Sequence, residues 1–151
     1  MANTQAMCTS FKGELLVGHH NFGTGVTRAS TAADSFKAAL YLATATVNAS
    51  TTAYSSTNEV SGTNYTAGGV AVTFGTAPST SGTTAFVTPS ASIVYSSVTL
   101  STAFDAVLIY NSTQSNKAVS VHTFGSQTVT AGTFTLTMPV NDASTGLIRL
   151  A

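Results

Sequence analysis

The chain has 151 residues and a mass of 15.3 kDa, and only 7% of its residues are charged. An ordinary soluble domain contains about 25% charged residues. Five basic and five acidic side chains give a formal net charge of zero, and the five cations stand singly along the chain. Scattered cations do not form a phosphate-binding surface, so we expect no nucleic-acid partner. With 43% hydrophobic residues, residues 1–151 are expected to fold as a single domain.

The region before the first predicted strand contains one helix candidate, at about residues 4–17. Thr4 can cap the first turn, because its side chain can accept a backbone N–H that the turn leaves unpaired. Met7, Phe11 and Leu15 then recur every four residues, which places them on one face of a helix. The pattern predicts a short helix that rests on another part of the fold.

Residues 19–34 are predicted to form a loop, and from about residue 35 the hydrophobic pattern has a period of two. Seven further segments show the same strand pattern, separated by clusters of Gly, Pro, Asn, Asp and Ser. Short strands at this spacing predict a mainly β fold, an antiparallel sandwich of jelly-roll or immunoglobulin-like type. The predicted strands are 35–42, 69–74, 84–88, 91–100, 103–111, 117–124, 132–140 and 146–150.

Two of these strands show how the chain solvates a sheet. "AVLIY" (106–110) is apolar on both faces, which predicts a central strand that is covered on both sides. In "GTFTLTMPV" (132–140), apolar residues alternate with Thr133, Thr135 and Thr137. Threonine suits a strand because its branched Cβ fits the pleated surface. Hydroxyl groups therefore replace charges on the outer faces, and Ser and Thr together fill 47 positions of the chain.

Residues 45–69 form a long polar segment that also contains Tyr54, Val60 and Tyr65. A connection of this length is usually functional or disordered. Because the segment contains aromatic residues and turn-forming residues, we expect it to be ordered and packed on the sheet.

The chain shows no pattern typical of a catalytic, cofactor or metal site. His19 and His20 are adjacent without a third ligand nearby in the sequence, and a metal site needs three or four. There is no nucleophile elbow and no phosphate-binding glycine loop. Cys8 is expected to be a small core residue, His122 to face solvent or a partner, and Asp142 to form a turn. We therefore expect no enzyme activity and no cofactor.

Localisation is predicted from what the sequence lacks. The first 18 residues contain no basic stretch followed by a long apolar run, and no segment approaches 18 consecutive apolar residues. We expect a protein made in the cytoplasm, neither secreted nor bound to a membrane. A net charge of zero favours association, so self-association is expected as well.

Four stretches together resemble a family of small virion structural proteins of tailed bacteriophages. The resemblance extends over nearly the whole chain. It implies a β-sandwich present in many copies on the capsid or at the head–tail region, with no catalytic residues. The stretches are "CTSFKGELLVGHHNF" (8–22), "SFKAALYLATATVNASTTAYSSTNEVSGTNYTAGGVAVT" (35–73), "AVLIYNSTQSNKAVSVHTFGSQTVTAGTFTLTMPV" (106–140) and "STGLIRLA" (144–151).

The function predicted from this resemblance is that of a capsid cement or decoration protein in the virion, with the major capsid protein or other virion proteins as partners. Its contact surface is expected at loops 19–34 and 45–68 or at an exposed sheet edge, with Phe22, Tyr54 and Tyr65 as possible anchors. Ordinary core packing is the alternative interpretation of these three aromatics. Two alternative functions are a neck, tail or fibre-attachment component and a host-surface carbohydrate-binding module, although the absence of tryptophan counts against the second.

Overall fold

The structure, a computed structural model, describes residues 3–8, 11, 19, 20, 22, 23, 33–82 and 84–150. Every element that it defines there is a β-strand, so the predicted mainly β fold is confirmed. No helix among these residues is long and apolar enough to cross a bilayer. The strands are β1 (Ala6–Met7), β2 (Phe36–Leu42), β3 (Val70–Val72), β4 (Ser79–Ser81), β5 (Thr84–Val87), β6 (Ile93–Asn111), β7 (Lys117–Leu136) and β8 (Ile148–Leu150).

The strands form two antiparallel sheets. The larger sheet has the order β1-β7-β6-β2-β3, and the smaller sheet has the order β4-β5-β8. In the larger sheet, β6 lies between β7 and β2, as predicted for "AVLIY". Residues 106–111 of β6 are all buried. This confirms that the central strand is covered on both faces.

The β6–β7 hairpin merges four predicted strands into two. The strands predicted at 91–100 and 103–111 are one strand of 19 residues, and those at 117–124 and 132–140 are one strand of 20 residues that ends at Leu136. The predicted breaks are β-bulges, at which the pairing register shifts without ending the strand. Ser97 and Ala131 have positive φ angles of 53° and 46° at adjacent positions in the hairpin. A bulge and a turn use the same residue types, which is why the pattern predicted breaks.

The turn that joins β6 to β7 is built by one side chain. The Asn111 side-chain oxygen accepts the backbone N–H groups of Thr113 and Gln114, both at 3.1 Å. Ser115 and Asn116 then adopt left-handed φ angles of 52° and 58°. Two consecutive residues of this kind reverse the chain and return it into β7.

The N-terminal helix predicted at 4–17 is not seen. Ala6 and Met7 form a strand that pairs with Val121 and Ser120 at the edge of β7, and the Cys8 backbone N–H donates to the Val119 carbonyl at 3.2 Å. Pairing with the existing edge of β7 satisfies the hydrogen bonds of these backbone groups. This stabilisation outweighs the helix propensity of the segment, which an interior glycine weakens. Residues 9, 10 and 12–17 of the predicted helix lie outside the described residues. The prediction that Cys8 is a core residue is confirmed, because its side chain is fully buried.

The remaining strand predictions differ from the structure mainly at their ends. β2, β3, β5 and β8 lie within the predicted segments. β4 is not among the predicted strands, because Ser79–Ser81 is polar and exposed. Its composition is that of the clusters between the predicted strands. It pairs with β5 from Ser79↔Phe86 to Ser81↔Thr84, as an edge strand without an apolar face.

The two faces of the large sheet are covered by different parts of the chain. The 43–69 segment, which joins β2 to β3, covers one face and places Tyr54 against Tyr110 with ring centroids 4.7 Å apart. The opposite face contains Val107 and Ile109 of β6, which line a small cleft together with Leu147 next to β8. Val87 and Ile148 of the small sheet are buried in the same core. The core therefore extends from the large sheet to the small one.

Candidate functional site

The most extensive polar cluster in the described residues surrounds one carboxylate, that of Glu59. The charge of Glu59 acts on all five tyrosines of the chain. We call Glu59 together with Tyr41, Tyr54, Tyr65, Tyr95 and Tyr110 the tyrosine cluster. Glu59 is 9% exposed, so its carboxylate is almost completely removed from solvent.

The local backbone places Glu59 at the edge of β2. Asn58 has a positive φ of 60°, which turns the chain back towards the sheet. Glu59 then forms a single antiparallel bridge with Tyr41. The bridge is closed by the Leu42 N–H donating to the Asn58 carbonyl at 3.0 Å, and by the Val60 N–H donating to the Leu40 carbonyl at 3.0 Å. Bridge partners point to the same face of a sheet, so Glu59 and Tyr41 lie side by side.

Three donors satisfy the Glu59 carboxylate. The Tyr54 hydroxyl donates to Oε2 at 2.7 Å, and the Tyr65 hydroxyl donates to Oε1 at 2.7 Å. The Gly68 backbone N–H donates to Oε1 at 2.8 Å. Gly68 is fixed in turn, because its carbonyl accepts the Tyr110 hydroxyl at 2.8 Å. A buried carboxylate is stable only with such partners, and here all three lie in the 43–69 segment, while Tyr110 of β6 holds Gly68 in place.

Two tyrosine hydroxyls also complete the edge of β2. Leu40 lies on β2 between the residues that pair with β3 and Tyr41, which bridges Glu59. Its N–H donates to the Tyr65 hydroxyl at 3.0 Å. Nearby, the Ala38 carbonyl accepts the Tyr95 hydroxyl at 2.8 Å. Gly69 passes close to this edge with φ at +72°, and a Cβ there would lie 1.7 Å from the Ala38 carbonyl oxygen. Only glycine fits at position 69.

The tyrosine hydroxyls act as hydrogen-bond donors and not as acids. Burial raises the pKa of every tyrosine in the cluster, and the Glu59 charge raises it further. The pKa of Tyr41 rises to about 12. All five phenols are therefore neutral at physiological pH, and each ring is held by stacking or by a hydroxyl bond. This arrangement attaches the 43–69 segment to the sheet through hydrogen bonds of neutral hydroxyl groups.

An aromatic cluster closes the other end of the large sheet. Phe22 stacks on Phe36 of β2 with ring centroids 4.9 Å apart, and both rings contact Phe74 edge to face at 5.0 Å. His20 lies against this cluster, and its Nδ1 is 3.2 Å from the Asn111 side-chain amide. Asn111 also donates to the Asp34 carboxylate at 2.8 Å. His20 and Asp34, which lie near the two ends of loop 19–34, thus both contact the turn-forming Asn111.

Ser120 and His122 form the one pair on β7 with the residue types of a nucleophile and a base. The Ser120 Oγ lies 2.9 Å from the His122 Nε2. Ser120 is 3% exposed, and burial lowers the pKa of His122 to about 4. No described carboxylate binds the histidine, and a triad needs a third group that orients the base. The sequence predicts that His122 faces solvent or a partner. Its side chain is half-buried and lines a cleft of about 130 Å³, and contact with a partner stays a prediction. Apolar side chains dominate the lining of this cleft, among them Ile93, Val107, Ile109, Phe124, Leu136, Met138 and Leu147.

A cleft of about 460 Å³ lies between Tyr41 and the 43–69 segment. Hydroxyl and amide side chains dominate its lining, and no charged residue is among them. Tyr41 is its one aromatic residue, and only 2% of Tyr41 is exposed. The cleft therefore has no aromatic platform on which a sugar ring could stack.

The three predicted anchors all make contacts within the chain. Phe22 is 5% exposed inside the aromatic cluster. Tyr54 and Tyr65 are half-buried, with their hydroxyls on Glu59. These contacts match the alternative interpretation of core packing, and the role of the three residues at an interface stays a prediction. Sequence reasoning missed Glu59, because a single acid in a hydroxyl-rich loop has no distinguishing pattern.

Within the part of the chain that the structure describes, no group of three or more His, Cys, Asp or Glu side chains could hold a metal ion. Asp142 forms a turn as predicted, since its carboxylate accepts the backbone N–H groups of Ser144 and Thr145 at 2.7 Å. Comparison of the chain with models of known protein families, with curated proteins and with solved structures found no match.

Proposed function

We propose that this chain is a structural protein of a tailed-bacteriophage virion that binds the outer capsid lattice and cements or decorates neighbouring major capsid subunits. The resemblance of its sequence to small virion structural proteins suggests this role. The structural observation that best supports the proposed role is the distribution of charged residues over the strands.

The described surface is almost free of charge over long stretches. Residues 60–104 and 118–141 contain no Asp, Glu, Lys or Arg. They include β3, β4, β5 and most of β6 and β7, with exposed Ser and Thr on their outer faces. Contacts made by apolar groups and backbone hydrogen bonds depend less on salt than ion pairs do. A protein that must adhere to a particle in changing salt benefits from such a surface.

The fold proposed for this role is a β-sandwich. The two sheets share one core, because Val87 and Ile148 of the small sheet are buried with residues of the large sheet. Three pairs of consecutive strands, β2–β3, β4–β5 and β6–β7, are hydrogen-bonded neighbours. Immunoglobulin-like sheets contain several such pairs, which favours that type over a jelly roll.

The mechanism is mass action. A protein that binds only where assembled capsid subunits meet stabilises the assembled state relative to free subunits. The tyrosine cluster supports this use, since it holds the 43–69 segment in one conformation. A fixed surface binds with less loss of conformational entropy than a mobile loop does.

Particle stability with and without the protein tests the proposal. Particles that lack the chain should release their genome at a lower temperature than complete particles, and adding the purified protein should restore the difference. Equal heat resistance of the two particle types would contradict cementing. The number of copies per particle separates the alternatives, because a lattice protein is present in hundreds of copies and a neck, tail or fibre-attachment component in few.

A further inference from the structure

The sheet edges of this fold differ in length. The strands β1, β3, β4 and β8 lie at edges and have two or three residues each. Short edge strands are one way in which proteins avoid pairing with other chains. β7 is the exception, because β1 covers its outer edge only at Ser120 and Val121. From His122 to Leu136 no described strand pairs with this edge.

The corresponding outer edge of β6 is covered by its own chain. Thr63 and Thr99 form an antiparallel bridge with both backbone hydrogen bonds at 3.1 Å. The Asn64 side chain donates to the Ser97 carbonyl at 2.9 Å. The 43–69 segment thus protects one side of the hairpin, and the β7 side is left open among the described residues.

The other common protections are also missing from the β7 edge. Charged side chains and proline usually block an edge strand. Residues 118–138 contain no charged residue and no proline. Bulges interrupt the register over much of the hairpin, but Ile93–Tyr95 pair regularly with Phe134–Leu136. The last part of β7 is therefore a regular strand with an open edge.

The sequence of this part is close to a palindrome. Residues 133–137 read "TFTLT", with Thr135 at the centre. If two copies pair antiparallel around Thr135, Thr133 meets Thr137 on one face and Phe134 meets Leu136 on the other. Cross-strand threonine pairs and aromatic–aliphatic pairs are both favourable. This self-complementarity suits a two-fold interface, in which residue i of one copy contacts residue j of the other and residue j contacts residue i.

We propose that the outer edge of β7 at residues 133–137 is a self-association surface, where a second copy of this chain pairs antiparallel around a two-fold axis at Thr135. The two hairpins then form a continuous four-stranded sheet. Neither edge is charged, so no repulsion opposes the pairing. The half-buried side chains of Phe134 and Leu136 lose further contact with water in the dimer. This inference does not depend on the proposed role in a virion.

Sedimentation of the purified full-length chain over a range of micromolar concentrations tests the proposal. The wild-type chain should shift from monomer to dimer as concentration rises. Thr135→Lys should remain monomeric at every concentration, because two ammonium groups would face each other across the axis. Thr135 is exposed, so this variant should fold, and circular dichroism verifies that it does. Thr128→Lys is the matched control, exposed on the same strand outside the paired segment, and should dimerise like wild type.

A charge-exchange pair makes the test specific. Thr135→Glu alone should also be monomeric, and an equimolar mixture with Thr135→Lys should form heterodimers. A wild-type chain that stays monomeric throughout overturns the proposal, as does a Thr135→Lys variant that dimerises as well as wild type. Loss of dimerisation in Thr128→Lys but not in Thr135→Lys would place the contact elsewhere and also overturn it. Particle heat resistance is measured separately, so failure of one proposal leaves the other standing.

Discussion

The two halves of the β6–β7 hairpin differ in composition and in the burial of their residues. In the half next to the turn, residues 106–111 and 118–121 are all buried, on both faces. In the far half of β7, residues 125–128 are all exposed, and exposed and half-buried residues alternate from Ala131 to Leu136. The near half is covered by the 43–69 segment on one face and faces the small-sheet side on the other. The far half has one covered face, which agrees with the alternation of apolar residues and threonine in its sequence.

The tyrosine cluster connects the two halves. Tyr54 stacks on Tyr110 of the near half with ring centroids 4.7 Å apart, and Tyr65 stacks on Tyr95 of the far half at 5.9 Å. Both Tyr54 and Tyr65 donate to the carboxylate of Glu59. A single buried acid therefore fixes the segment that packs against both halves.

Matched leucine truncations should show the difference in burial directly. Leu108 in the near half is fully buried, whereas Leu136 in the far half is only partly buried. We expect Leu108→Ala to lower the free energy of unfolding by about 3–4 kcal/mol, because it leaves a cavity, and Leu136→Ala by about 1 kcal/mol. Urea denaturation of the two variants measures both values. Equal losses would mean that the far half is as tightly packed as the near half.

Removal of the Glu59 carboxylate should weaken the packing of the 43–69 segment against both halves of the hairpin. Glu59→Ala leaves the Gly68 N–H and two tyrosine hydroxyls without their acceptor, and we expect a loss of about 3 kcal/mol. Glu59→Gln keeps the shape and one acceptor oxygen, so its loss should be about 1 kcal/mol. Hydrogen exchange should show faster amide exchange over residues 43–69 in the alanine variant. Unchanged exchange there would show that stacking alone holds the segment.

Histidine titration probes the boundary between the halves, where His122 lies. Burial lowers the pKa of His122 from 6.5 to about 4. Between these values the unfolded chain binds a proton that the folded chain does not, so stability falls as pH drops from 6.5 and levels off near 4. The loss amounts to at most about 3 kcal/mol. His122→Gln should lack this part of the pH dependence, as measured by urea denaturation from neutral pH to pH 4. All other titratable groups are common to the wild type and the variant, so the difference between the two pH profiles reports on position 122.

The sequence predicted the near half better than the far half for a physical reason. An uninterrupted apolar run such as "AVLIY" can only be a covered strand in a β fold, and residues 106–110 are indeed buried. In the far half, "SSVTLST" contains residues that suit either a turn or a bulge, and the choice depends on whether a partner strand continues. Thr63 and Asn64 provide backbone and side-chain bonds at this point, and they are distant in the chain. A local pattern cannot contain that information.

The same limit applies to the N-terminal region and to the candidate site. Met7 and Phe11 fit a helical spacing, yet Met7 pairs with Ser120, which follows more than a hundred residues later. Glu59 and its donors are separated by only five to nine residues, but their convergence depends on the bridge to Tyr41. The expectation that residues 45–69 are ordered and packed on the sheet is confirmed. The sequence could predict this much, because the expectation depended on composition and not on a specific contact.

The smallest effect is expected on the outer surface of the far half. Thr128 is exposed on β7, outside the segment that we propose to pair. Thr128→Lys should change the free energy of unfolding by no more than about 0.5 kcal/mol, because an exposed strand position with no buried contact tolerates a charge. Urea denaturation at low and high salt measures the change. A loss above this range would mean that folding requires an uncharged side chain at position 128. A change within it would mean that folding does not explain the absence of charge at this position.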